Sequence, residues 1–171
     1  MKIAIPTDFS VSSLLWLKEA VEKCDAEKLD IVLLHGIDDQ RSIPEILFHS
    51  SSSLLTDIEN KEFSEACRLI KNKYQSKINS ICLDAVSKGG KAYLENFLLG
   101  NEIEEVFIPE KYNFHSHSDY SYDLIPLLKK SSIRKQMIQS VELLQSDSKE
   151  TNLISALFRQ LQPREEKSGV I

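Results

Sequence analysis

The chain has 171 residues, of which 42% are hydrophobic and 27% charged, with a net charge of −5, an ordinary composition for one globular domain. A chain of this length buries roughly 68–70% of its unfolded surface and needs no disulfide or metal staple. The acidic balance excludes a non-specific nucleic-acid binder, which needs a basic face, and no apolar run approaches the roughly 18–20 residues of a membrane span. Cys24, Cys67 and Cys82 are odd in number and form no Cys-x-x-Cys pair, so they read as reduced, mostly buried thiols. The opening Met1-Lys2-Ile3-Ala4-Ile5-Pro6 lacks the long apolar region and cleavage site of a signal peptide, and a cytoplasmic location is expected.

Residues 2–6 read as a strand that ends in the polar turn Pro6-Thr7-Asp8-Phe9-Ser10. A helix over 12–24 follows, with Leu14, Leu17, Val21 and Cys24 at helical spacing and Ser10 or Ser12 as its N-cap. Residues 29–35, nearly all apolar, read as a central parallel strand covered on both faces. The first strand, helix and second strand thus form a crossover unit, right-handed by the usual rule. In such sheets ligands bind beyond the carboxyl ends of the strands, which puts Thr7, Asp8 and Ser10 where a small polar ligand would be read. An equally physical alternative is that Asp8 and Ser10 cap the turn and the next helix.

Residues 36–60 show no period and read as a long loop with a helical turn. A helix over 61–76 buries Phe63, Ala66, Cys67, Ile70 and Tyr74; a third strand covers 80–86; Gly89-Gly90 opens a helix over 91–99. Gly100 is expected just past that helix in a left-handed conformation. A fourth strand covers 105–109, a polar loop 110–122, and a short helix 123–130 with Pro126 in its first turn. Ile133, Met137, Val141 and Leu144 have helical spacing, with a fifth strand around 137–144 as the competing reading. A last amphipathic helix is expected over 152–161, followed by a frayed tail. The whole is an α/β protein: a Rossmann-like open parallel sheet of four to five strands flanked by helices, with a C-terminal helical extension. Residues 1–147 form the α/β domain, and 148–171 the terminal helix and tail.

Pro6-Thr7-Asp8-Phe9-Ser10 after the first strand, Val32-Leu33-Leu34-His35-Gly36-Ile37 at the end of the second, and Ile125-Pro126-Leu127-Leu128-Lys129-Lys130-Ser131 together resemble the universal stress protein family. The resemblance implies a nucleotide-binding type of sheet, a homodimer and, in many members, an ATP site. In that site the Asp of the first loop, here Asp8, serves the adenine and ribose side, and the residue after the strand-two His, here Gly36, lines the adenine pocket. Thr7, Asp8, Ser10 and Gly36 are therefore the candidate ligand residues. The family holds the triphosphate on a Gly-x2-Gly-x9-Gly-Ser/Thr loop after strand four, where glycines let successive N–H groups face the anion. Here that loop is Lys111-Tyr112-Asn113-Phe114-His115-Ser116-His117-Ser118-Asp119 and holds no glycine.

The expectation is a non-enzymatic stress-response or regulatory module with no cofactor and no ATP site, working as a homodimer or with an unidentified protein partner, without nucleic acid or membrane. The alternative is a nucleotide or small-ligand binder, with ATP or AMP as candidates, using the crevice at the ends of strands one, two and four. Three weaker patterns have plain readings. His115-x-His117-x-Asp119 lacks a fourth ligand and reads as a solvated loop. Gly89-Gly90-Lys91 lacks P-loop spacing and reads as a tight turn. Lys129, Lys130, Arg134 and Lys135 read as a solvated basic face. No Ser/His/Asp or paired-carboxylate arrangement follows from the spacing, so no catalytic residue is expected, and no metal ligand either.

Overall fold

A computed structural model describes residues 1–38, 61–116 and 118–139. The elements are β1 (Lys2–Pro6), a 3-10 turn (Val11–Ser13), α1 (Leu14–Lys23), β2 (Leu29–Ile37), α2 (Lys61–Lys73), β3 (Ile78–Ser87), α3 (Lys91–Gly100), β4 (Glu105–Pro109), β5 (Ser121–Tyr122), α4 (Ile125–Lys130) and β6 (Lys135–Ile138).

Five parallel strands run in the order β3-β2-β1-β4-β6, and β5 adds to β2 in the antiparallel sense. The Rossmann-like α/β class expected from the sequence is the one observed. β2 and β4 are apolar and buried nearly throughout, as strands covered on both faces must be. α1 lies against β1, β4 and β6, while α2 lies against α1 and β3. α3 and α4 pack on each other, with α4 against β4. α1 buries Leu14, Leu15, Trp16, Leu17, Ala20 and Val21, and at roughly 1.5–3 kcal/mol per fully buried aliphatic side chain this packing holds it more than helix propensity does. α2 is attached by less, with Phe63, Ala66 and Ile70 buried.

Several expectations are corrected. The helical reading beginning at Ile133 fails over Lys135–Ile138, which is strand β6, paired in parallel with Val106–Pro109 of β4. The competing strand around 137–144 holds only at Met137 and Ile138: β6 begins at Lys135 and stops before Gln139, and 140–144 lie outside the described residues. Ile138 is fully buried while its neighbour Met137 is 40% exposed, a period of two that the sparse apolar spacing had disguised. An open edge of β4 satisfied by pairing outweighs a weak helical pattern.

Gly100 is not left-handed. The residue that turns the chain after α3 is Glu102, at φ 57°. The N–H of Ile103 donates to the Leu98 carbonyl at 2.9 Å and that of Glu102 to Leu99 at 3.0 Å, the two bonds of a Schellman ending. Its accompanying apolar contact is supplied by Ile103 and Leu98, both buried.

None of the three cysteines forms a disulfide, as expected, but Cys82 is exposed, not buried. It stands on β3, which pairs on one side with β2 and among the described residues has no strand on its other side. The readings for 39–60, for Val141 and Leu144, for the helix over 152–161, for the tail and for the boundary at 147/148 lie outside the described residues. Among the described residues no helix is long and apolar enough to cross a membrane.

Candidate functional site

The turn after β1 is held by its own short polar side chains. Asp8, 2% exposed, accepts at Oδ1 from the N–H of Ser10 at 3.0 Å and from its hydroxyl at 2.5 Å. Its Oδ2 accepts from the backbone N–H of His115 at 3.1 Å, with the His115 Nδ1 3.6 Å away. Ser10 is the N-cap of the 3-10 turn, its Oγ accepting from the Ser13 N–H at 3.2 Å. Thr7 Oγ1 accepts from the Phe9 N–H at 3.1 Å and lies 2.9 Å from Ser13 Oγ. This is the capping role that Asp and Ser adopt readily at such turns. Between them Phe9 takes φ 62°, a region bulky residues seldom enter. The twist sends its ring inward, fully buried, 4.7 Å from the His35 ring and 5.2 Å from that of Phe63.

His35 ties the turn to the fourth loop. Its ring is fully buried; Nδ1 lies 2.8 Å from the Thr7 carbonyl oxygen and Nε2 2.8 Å from Ser121 Oγ. A carbonyl only accepts, so Nδ1 carries the hydrogen, and in the neutral ring Nε2 accepts from the Ser121 hydroxyl. Sequence reading used His35 as part of a motif and gave it no role. The available signal was a polar side chain inside an apolar central strand, which must find partners when buried.

β2 outruns its neighbour here. β1 pairs as far as Pro6 with Leu34, whereas β2 continues to Ile37. Over this overhang β5 takes the vacant edge, Tyr122 opposite Gly36 and Ser121 opposite Ile37, and the Asp38 N–H donates to the Tyr120 carbonyl at 2.6 Å. Burial first, then the nearby Tyr93 and Asp38, pushes the Tyr122 hydroxyl up to about 12. It therefore remains a donor at neutral pH, 3.4 Å from the Ser87 carbonyl.

The crevice at the strand ends is lined by Pro6, Thr7, Asp8, Trp16, Gly36, Phe114, Tyr122, Asp123, Leu124 and Ile125. Its cavity volume is about 10 Å³, about what one water molecule needs and far below the roughly 300–1,000 Å³ of small-molecule pockets. Three of the four candidate residues, Thr7, Asp8 and Gly36, meet there, while Ser10 is not among the lining residues. Asp123 is the second carboxylate of the lining. Its Oδ2 accepts from the Tyr112 hydroxyl at 2.8 Å and its Oδ1 from the Ile125 N–H at 2.9 Å. Tyr122 and Asp123 were missed as site residues, because an aperiodic loop gives no sign of which strand it will cover, and Trp16 because it reads as part of the apolar face of α1.

The other patterns resolve simply. Arg134 Nε lies 3.1 Å from the buried Glu105 carboxylate, and Lys135 donates to carbonyls at the end of α4, so half of the basic cluster is engaged in holding β6. Gly89 lies against Tyr93, whose ring carbon would be 2.7 Å from an added Cβ. His117 is outside the described residues, and among the described residues no group of three or more His, Cys, Asp or Glu is placed to hold a metal ion.

Strand order and a strand-end crevice define a Rossmann-like α/β protein. No family model matches the chain, and no curated protein matches it in sequence. Among solved structures it is similar to a universal stress protein from Lactobacillus plantarum (14% identity, 81% of this chain and 97% of that one, TM-score 0.49). Another is a protein of the universal stress protein family from Burkholderia pseudomallei (17%, 80% and 94%, TM-score 0.46). A third is a universal stress protein in complex with cAMP (11%, 82% and 97%, TM-score 0.46).

Proposed function

We propose that the chain is a universal-stress-protein-like regulatory module, non-enzymatic, cytoplasmic and homodimeric, that does not take up ATP. The observation that carries this reading is the lining of the strand-end crevice, which among the described residues has two carboxylates, Asp8 and Asp123, and no lysine or arginine. A triphosphate needs cations or converging backbone N–H groups. The loop after β4, with no glycine, gives the backbone little freedom to supply them. Asp8 already accepts three hydrogen bonds from the chain itself, and Gly36 is covered by Tyr122.

Isothermal titration of the purified protein with ATP and with AMP tests the reading. Neither nucleotide is expected to bind below millimolar concentration. Micromolar ATP binding would overturn it. Micromolar binding of AMP alone would replace it with a small-ligand binder that uses Thr7, Asp8 and Gly36 without a phosphate cradle. Light scattering in line with size exclusion tests the homodimer, which a monomer mass would refute.

A further inference from the structure

We infer that residues 118–122 form a detachable strap over the crevice, latched by Ser121 on His35 and seated by Gly36, and that it opens without unfolding the sheet. This is a conformational device rather than a ligand assignment, and it stands whether or not a nucleotide binds.

The attachment of the strap differs in kind from that of the strands beneath it. β1, β2 and β4 are held by extended ladders and buried aliphatic side chains. β5 is two residues long, and neither Ser121 nor Tyr122 is fully buried. Tyr120 is 49% exposed. What fastens the strap is mostly polar, with the half-buried Tyr122 ring packed against the core. Ser121 Oγ is on His35 Nε2, the Asp38 N–H is on the Tyr120 carbonyl, and Ser118 Oγ lies 3.1 Å from Ser121 Oγ. The Tyr122 hydroxyl reaches Ser87 only at 3.4 Å, beyond the usual hydrogen-bond range. Segments with few buried apolar contacts open locally at lower free energy than the core.

The floor is independent of the strap. Pro6, Thr7 and Asp8 are placed by β1 and by the capped turn, and Gly36 by the β2–β3 ladder. Opening therefore uncovers a preformed crevice. Trp16 lines that crevice and is 9% exposed. It is also the single tryptophan of the chain, and with Tyr122 of the strap beside it in the lining its shielding is the readout of closure.

Two substitutions separate the seat from the latch. Gly36→Ala puts a Cβ 2.5 Å from the Tyr122 carbonyl oxygen, so the strap backbone must lift. Ser121→Ala removes the hydroxyl that faces His35, the loss of roughly one hydrogen bond, equivalent to an opening constant larger by about 5- to 10-fold. Acrylamide quenching of Trp16 and hydrogen exchange of the full chain are the readouts. Both variants are expected to quench several-fold more than the parent and to exchange the Asp38 amide faster. The amides of Ile5 and Val106 should keep their protection. The proposal is overturned if both variants remain folded with Trp16 as shielded as in the parent. It is equally overturned if Trp16 becomes accessible only together with loss of protection in β1 and β4, since the strap would then be an inseparable part of the core.

Discussion

The Tyr122 carbonyl lies where a side chain on residue 36 would be: a Cβ built on Gly36 stands 2.5 Å from that oxygen and 3.0 Å from two carbons of the Tyr122 ring. This glycine has no positive φ. It is needed for proximity and not for conformation, because only a residue without a side chain lets another backbone and an aromatic ring approach so closely. The crevice and its cover are thus fitted to each other across 86 positions of sequence.

Asp8 is expected to matter for stability before it matters for any ligand. Its carboxylate joins the β1 turn to the fourth loop through Ser10 and His115. Asp8→Ala should cost about 2–3 kcal/mol, the scale of losing hydrogen bonds to a buried charged acceptor. Urea denaturation measures it. An unchanged midpoint would leave ligand contact as the better account of the residue.

Glu102 sits at φ 57° in a position where glycine is preferred. Its side chain is exposed, so replacement removes no packing. Glu102→Gly should raise stability by about 1 kcal/mol, the cost of holding an L-residue in the left-handed region. A lower urea midpoint in the variant would mean that the glutamate contributes more than its backbone strain.

The cysteines should differ in reactivity. Cys24 is buried and Cys82 exposed, so native alkylation labels Cys82 before Cys24. Burial of the sulfur against the sheet pushes the Cys82 thiol up; Lys2 opposes this, and Asp84 and Asp30 add to it. A raised value means less thiolate at a given pH. Below its own midpoint Cys82 should react more slowly than free cysteine, and its rate should still climb where that of free cysteine has levelled. A pH series of iodoacetamide labelling read by mass spectrometry checks the sign; a rate above that of free cysteine near neutrality would contradict it.

The architecture was legible because its signals are local and strong. Apolar runs at Lys2–Pro6, Leu29–Ile37 and Glu105–Pro109, and the stripes of Leu14, Leu17 and Val21 or of Phe63, Ala66 and Ile70, each have one sensible burial. Lys135–Ile138 was hidden because a four-residue strand with one fully buried side chain carries almost no pattern of its own; the open edge of β4 determines it. Gly100 misled because glycine is the usual left-handed residue, whereas the register of the Schellman bonds places the turn at Glu102. Thr7 and Asp8 could be placed at the strand-end crevice from topology alone, and Gly36 only through the family resemblance. That Tyr122 would cover them could not, since the pairing of β5 with β2 depends on an overhang visible only in three dimensions.

The overhang of β2 also orders events in time. The strap belongs to the loop after β4, yet it docks on β2, and so it has no seat until β1, β2 and β4 have assembled. Contacts that join distant positions carry a larger closure cost and form slowly. Closure of the crevice is therefore expected as a distinct late step of folding, with the secondary structure already in place. In stopped-flow refolding, protection of Trp16 from quencher should lag the far-ultraviolet circular dichroism signal. Coincident phases would show that the strap condenses together with the sheet.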